Sequence, residues 1–80
     1  MNSDELKKFK EECKKTEYSA LLIESLSLKE TIGRLDDFLK ENEKAYQDND
    51  ISFLYKTSNE RAECYEKLRI VEDELKSRLK

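Results

Sequence analysis

Leu21, Leu28, Ile32, Leu35 and Leu39 recur at steps of three, four and seven residues, and no proline interrupts them. That spacing keeps them on one face of an α-helix. Filled in, the seam reads Leu21, Ser25, Leu28, Ile32, Leu35, Leu39, Asn42, Tyr46. A second ladder runs Ile51, Leu54, Ser58, Arg61, Tyr65, Leu68, Val71 or Glu72, Leu75, Leu79. Between the two lies the polar run Gln47-Asp48-Asn49-Asp50. Asp48 to Asp50 have the chemistry of a turn, and Asp50 that of a helix N-cap. The pattern predicts two long helices, 17–47 and 51–79, joined through a turn at 48–50. A short connection makes consecutive helices antiparallel neighbours, so facing residues have numbers adding to about 99. Leu28 then meets Val71, Leu35 meets Cys64, Leu39 meets Glu60 and Tyr46 meets Phe53.

Ahead of these, Leu6, Phe9 and Cys13 form a narrow apolar stripe in a stretch of Lys, Glu and Asp, which predicts a helix over 4–15. Asn2 or Ser3 can cap it, and Asp4 and Glu5 suit the positive end of its dipole. A helix this short does not persist alone, so Leu6 and Phe9 must dock on something. Around Lys15 to Ser19 the stripe changes phase. This predicts a kink, a break or a rotation, with Thr16 or Ser19 capping the next helix. The fold class is therefore all-α: one domain over residues 1–80, a short N-terminal helix and a long antiparallel helical hairpin. Leu22, Ile23, Leu26 and Phe38 fall outside the seam and widen the apolar surface beyond one partner helix. Either the first helix covers them, or they form the interface of an oligomeric helical bundle.

Charged residues make up 44% of the chain, with a net charge of −3. That balance argues against general binding of duplex nucleic acid, which needs phosphates neutralised. No apolar run is long enough to span a bilayer, and the N-terminus has no signal-peptide core, so a cytoplasmic protein is expected, in the host cytoplasm if the source is viral. Cys13 and Cys64 stand far apart, and no histidine is available to complete a zinc site. They are expected as small hydrophobes in a reducing compartment, the other reading being a disulfide from the first segment to the last helix. Serines and cysteines lack a partner that would activate them. The chain is expected to be no enzyme and to carry no cofactor.

The remaining chemistry lies in a few side chains. Gly33, the only glycine, sits inside the strongest helical segment. There it costs about 1 kcal/mol relative to alanine, so a close approach by a crossing helix or a flat ligand is expected. Lys29, Arg34, Arg61 and Arg69 are the interior basic residues. Arg61 lies on the seam, where an unpaired charge is expensive. Asp37 or Glu41 can neutralise it; alternatively Arg34, Arg61 and Tyr65 form a patch for a phosphate-bearing ligand. Lys7, Lys10 and Lys14 line the first helix, either as a self-paired face, with Asp4–Lys8 and Glu11–Lys15, or as an anion-docking stripe. Tyr18, at the phase change, is the tyrosine placed to stack on a base.

The stretch Leu28-Lys29-Glu30-Thr31-Ile32-Gly33-Arg34-Leu35-Asp36-Asp37-Phe38-Leu39, followed later by Tyr65-Glu66-Lys67-Leu68-Arg69-Ile70-Val71-Glu72-Asp73-Glu74-Leu75, resembles the phage-encoded helical-hairpin proteins of the cyclic-nucleotide sponge family. Those proteins counter bacterial immune signalling by sequestering nucleotide second messengers. The resemblance implies a homo-oligomer that binds a cyclic oligonucleotide or an ADP-ribose-like ligand between protomers, with contacts at Tyr18, Lys29 and Arg34. Glu60 and Cys64 stand where that family commonly has Gln and Met. Two functions are thus expected. One is non-enzymatic sequestration of a nucleotide signal. The other is a helical adaptor, inhibitor or assembly chaperone that binds another protein through an exposed stripe of Leu22, Leu26 and Leu6/Phe9.

Overall fold

The apolar ladders become helices because nothing in them stops the backbone hydrogen-bond ladder. In a computed structural model of the chain, which describes residues 2–42 and 52–79, these are α1 (Ser3–Lys15), α2 (Tyr18–Glu41) and α3 (Ser52–Arg78). No strand occurs among the described residues. Residues 43–51, with the expected turn at 48–50, the end of the expected helix 17–47, Asp50 as a cap and the Tyr46–Phe53 contact, lie outside the described residues.

Asn2 caps α1: its Oδ1 accepts from the Glu5 N–H at 2.9 Å, and its Nδ2 donates to Glu5 Oε1 at 3.5 Å. The first bond satisfies one of the unpaired N–H groups of the helix start, and the second links the two side chains. The helix stops at Thr16, where the backbone turns extended. Thr16 spends its donors on the helix end, its N–H reaching Cys13 O at 3.2 Å and its hydroxyl reaching Glu12 O at 2.7 Å. Glu17 is also extended and precedes α2 without a side-chain cap bond. The expected break is therefore real, but neither Thr16 nor Ser19 caps the following helix. Thr16 closes the preceding one instead. Asn42 closes α2, with its Nδ2 donating to Phe38 O at 2.8 Å.

The α2 seam buries Leu21, Ser25, Leu28 and Ile32 and half-buries Leu35, Leu39 and Asn42. The α3 seam differs from its expected phase. Ser58, Tyr65 and Leu79 are exposed, while Thr57, Cys64 and Arg78 turn inward beside Leu54, Arg61, Leu68, Val71 and Leu75. These steps alternate three and four without a break, the spacing of a coiled-coil seam. The core joins Cys13, Leu21, Leu28 and Val71, with Phe9, Cys64, Leu68, Ile70 and Leu75 packed against it. Val71 is 0% exposed. Leu28 and Val71 share this core, as their expected pairing requires.

Two ion pairs fix the relative direction of α2 and α3: Lys29 with Glu72 at 3.5 Å, and Asp36 with Arg61. Higher numbers in α2 meet lower numbers in α3, so the helices run in opposite senses where they pack. α1 runs with α3 instead. Phe9 lies under Lys67, whose Nζ is 5.9 Å from the ring centroid, and Arg78 reaches Cys13 and Lys14. The chain therefore reverses at Thr16–Glu17, more sharply than a kink. α1 meets α2 in the core that Cys13 shares with Leu21. It does not cover Leu22, Ile23, Leu26 or Phe38, which stay exposed.

Arg78 makes the docking of α1 specific. Its Nη2 donates to Cys13 O at 2.9 Å and Lys14 O at 3.2 Å, and its Nε to Glu74 Oε1 at 3.2 Å. With Thr16 it satisfies the carbonyls of residues 12, 13 and 14, which a helix end leaves without partners. The guanidinium also sits at the negative end of the α1 dipole. Both cysteines are free. From α3, Cys13 receives Arg78 and feels the Glu74 carboxylate, fourteen and ten positions beyond Cys64. A disulfide needs Cα atoms within about 7 Å, so this fold does not bring the two together. Burial, then the nearby carboxylates of Glu24, Glu74 and Glu12, push the Cys13 thiol above its ordinary pKa, with Arg78 opposing them.

Candidate functional site: an open groove between two helices

A pair of packed helices has two grooves, one on each side of the seam. α1 fills one. On α3 it is met by Lys67, which lies over Phe9, and by Arg78, which reaches Cys13 and Lys14, while Cys13 shares the core with Leu21 of α2. No described residue covers the other groove.

Helical spacing names what lines it. On α2 the positions Leu22, Leu26, Lys29, Gly33 and Asp36 follow at i, i+4, i+7, i+11 and i+14, which is one face. On α3 the positions Tyr65, Arg69, Glu72, Lys76 and Leu79 repeat that spacing. The pair Lys29–Glu72 bridges the two stripes, and Asp36 pairs with Arg61 of the α3 seam. At the end nearer the α2 N-terminus, Leu22, Ser25, Leu75 and Leu79 with Lys29, Glu72 and Lys76 enclose a shallow groove of about 240 Å³. Leu26 is 66% exposed and Leu79 73%. Such volumes fall below the usual range for small-molecule pockets, roughly 300–1,000 Å³.

The five ligand-binding candidates do not converge. Arg61 and Tyr65 do meet, the guanidinium carbon standing 5.0 Å from the ring centroid. Arg61 donates through Nε to Asp36, so the counter-ion is Asp36 and neither Asp37 nor Glu41. Asp36 flanks the seam, whereas Asp37 is turned a further 100° round the helix. Lys29 is on the same open side but is held by Glu72. Arg34 points elsewhere: its side chain is 77% exposed and pairs with Glu30 on the outer surface of α2. Tyr18 is exposed at the start of α2, eighteen residues or about 27 Å of axis from Asp36. Arg69 is exposed rather than interior.

The interface candidates divide as well. Leu22 and Leu26 border the open groove. Ile23 is exposed next to them, and Phe38 is exposed on a different side of α2. On α1, Lys14 pairs with Glu11 at 3.5 Å in place of the expected Glu11–Lys15 pair. Lys10 borders a small cavity with Ile70, Asp73, Glu74 and Ser77. Among the described residues nothing lies within 4 Å of where a Cβ on Gly33 would be, so none of the described helices uses its missing side chain. Arg78 and Leu79, neither singled out from the sequence for function, are respectively the α1 clamp and an edge of the groove. The signal for Arg78 was its place three residues beyond Leu75, the next step of the seam.

Among the described residues no group of acids and cysteines is arranged to hold a metal ion, and no helix is long and apolar enough to cross a membrane. Comparison with protein-family models, curated proteins and solved structures finds no match to this chain.

Proposed function

We propose that this chain is a non-enzymatic interaction module, a helical hairpin that receives a helix of another protein in its open groove. The carrying observation is the exposed pair Leu22 and Leu26 on α2, with Leu22 lining a shallow groove opposite Leu75 and Leu79. An amphipathic helix laid there would bury apolar area worth about 25 cal/mol per Å², with anchors spaced at i, i+3, i+4 and i+7. α1 already illustrates the arrangement on the opposite side, with Phe9 and Cys13 in the equivalent groove. The free thiols suit work in a reducing compartment such as the cytoplasm.

The test uses the intact chain as bait. Leu26→Glu places a charge on an exposed position, so the fold should change stability by no more than about 0.5 kcal/mol. A stoichiometric protein partner captured by the wild type, and lost with Leu26→Glu while the helical circular dichroism persists, supports the reading. Capture that survives Leu26→Glu and Leu22→Glu together would reject this face as the contact.

A second reading is sequestration of a cyclic oligonucleotide or ADP-ribose-like signal by a homo-oligomer. It is favoured by Arg61 lying over the half-exposed ring of Tyr65, a cation and an aromatic face side by side. A phosphate would then have to displace Asp36 from Arg61. Native mass spectrometry separates the two readings: a higher oligomer with a co-purified nucleotide favours sequestration, and a monomer with neither counts against it.

A further inference from the structure

We infer that the partner helix is acidic, with carboxylates at i and i+7 on the flank that lies over α3; this deepens the helix-docking reading and rests on it. Charge on the groove is largely spent internally. Lys29 is matched by Glu72 and Arg61 by Asp36. Arg69 and Lys76 are left. Both are exposed on the α3 rim, and neither forms an ion pair among the described residues. In a chain of net charge −3 these two cations stand beside the uncovered apolar stripe, while Asp73, between them in sequence, lines the cavity on the α1 side with Lys10.

The spacing refines the partner. Arg69 and Lys76 are seven residues apart, two turns or about 10.5 Å along α3. Carboxylates two turns apart on an incoming helix would meet both cations at once. Its apolar positions would enter between Leu22 and Leu26 on one wall and Leu75 and Leu79 on the other. Complementary charge of this kind selects the partner and speeds encounter more than it adds affinity.

The experiment titrates the full chain against two fluorescent helical peptides that share one leucine stripe. One carries Glu at the i and i+7 flank positions and the other carries Lys there. The Glu peptide is expected to bind at least about tenfold more tightly at low salt, with the preference shrinking as salt is raised. Arg69→Glu with Lys76→Glu should reverse the preference, Arg69→Gln with Lys76→Gln should erase it, and Leu26→Glu should weaken both peptides. All three positions are exposed, and circular dichroism verifies the fold of each variant. Equal binding of both peptides, still sensitive to Leu26→Glu, overturns the acidic partner and leaves helix docking standing. Binding of neither peptide overturns both. So does a dimer by sedimentation that Leu26→Glu dissociates, or binding to phosphatidylserine vesicles alone.

Discussion

Replacing Arg78 with alanine tests the architecture at its most specific contact. The side chain gives two hydrogen bonds to the α1 carbonyls of Cys13 and Lys14 and one to Glu74. A hydrogen bond to a charged group contributes about 1.5–3 kcal/mol. Two bonds from one guanidinium are not independent, and the side chain is 25% exposed, so the low end applies. The charge at the helix C-terminus adds roughly 0.3–1 kcal/mol. Arg78→Ala should therefore weaken the docking of α1 by about 2–3 kcal/mol. Because α1 cannot persist undocked, the loss should appear as local opening before global unfolding. Hydrogen exchange of the α1 amides should speed up by about thirty- to a hundred-and-sixtyfold. The part of α3 packed on α2 should change less. Arg78→Lys keeps the charge but not the planar fork and should recover only part of the protection. Arg69→Ala is the control, since Arg69 is exposed. If α1 protection in Arg78→Ala equals that in Arg69→Ala, the clamp does not hold α1 and the reasoning fails.

Two further outcomes follow from the same physics. Gly33→Ala should stabilise the chain by about 0.8–1 kcal/mol, because the added methyl meets open space in the middle of a helix. Urea unfolding should show a higher midpoint at unchanged slope and melting about 4–8 °C higher; a lower midpoint would mean that something does occupy that space. The raised pKa of Cys13 sets an alkaline dependence. The folded state holds the thiol proton more tightly than the unfolded state, so its contribution is complete below the ordinary value of 9.0 and is lost as pH rises through the folded value. The urea midpoint of the wild type should therefore fall more steeply above that value than the midpoint of Cys13→Ala, and parallel curves would exclude Cys13 as the cause.

The chain by itself determined the helices and the inner face of α2. Leu21, Ser25, Leu28 and Ile32 could be placed inward because periodicity is local: each residue's angle about the axis depends only on its distance from its neighbours. The break after Lys15 and the Asn2 cap were legible for the same reason. In α3 the local signal is weaker, since Ser58 and Thr57, or Tyr65 and Cys64, fit the ladder about equally by hydrophobicity. Packing against α2 chose Thr57 and Cys64. Only the tertiary structure decided which of the two grooves α1 fills. That depends on the reversal at Thr16–Glu17 and on Arg78 reaching carbonyls more than sixty positions away in the chain. The counter-ion of Arg61, the open space beside Gly33 and the unpaired edge of Arg69 and Lys76 were settled in the same way. Each depends on distance across the seam between residues remote in sequence, and no spacing along one helix encodes that distance.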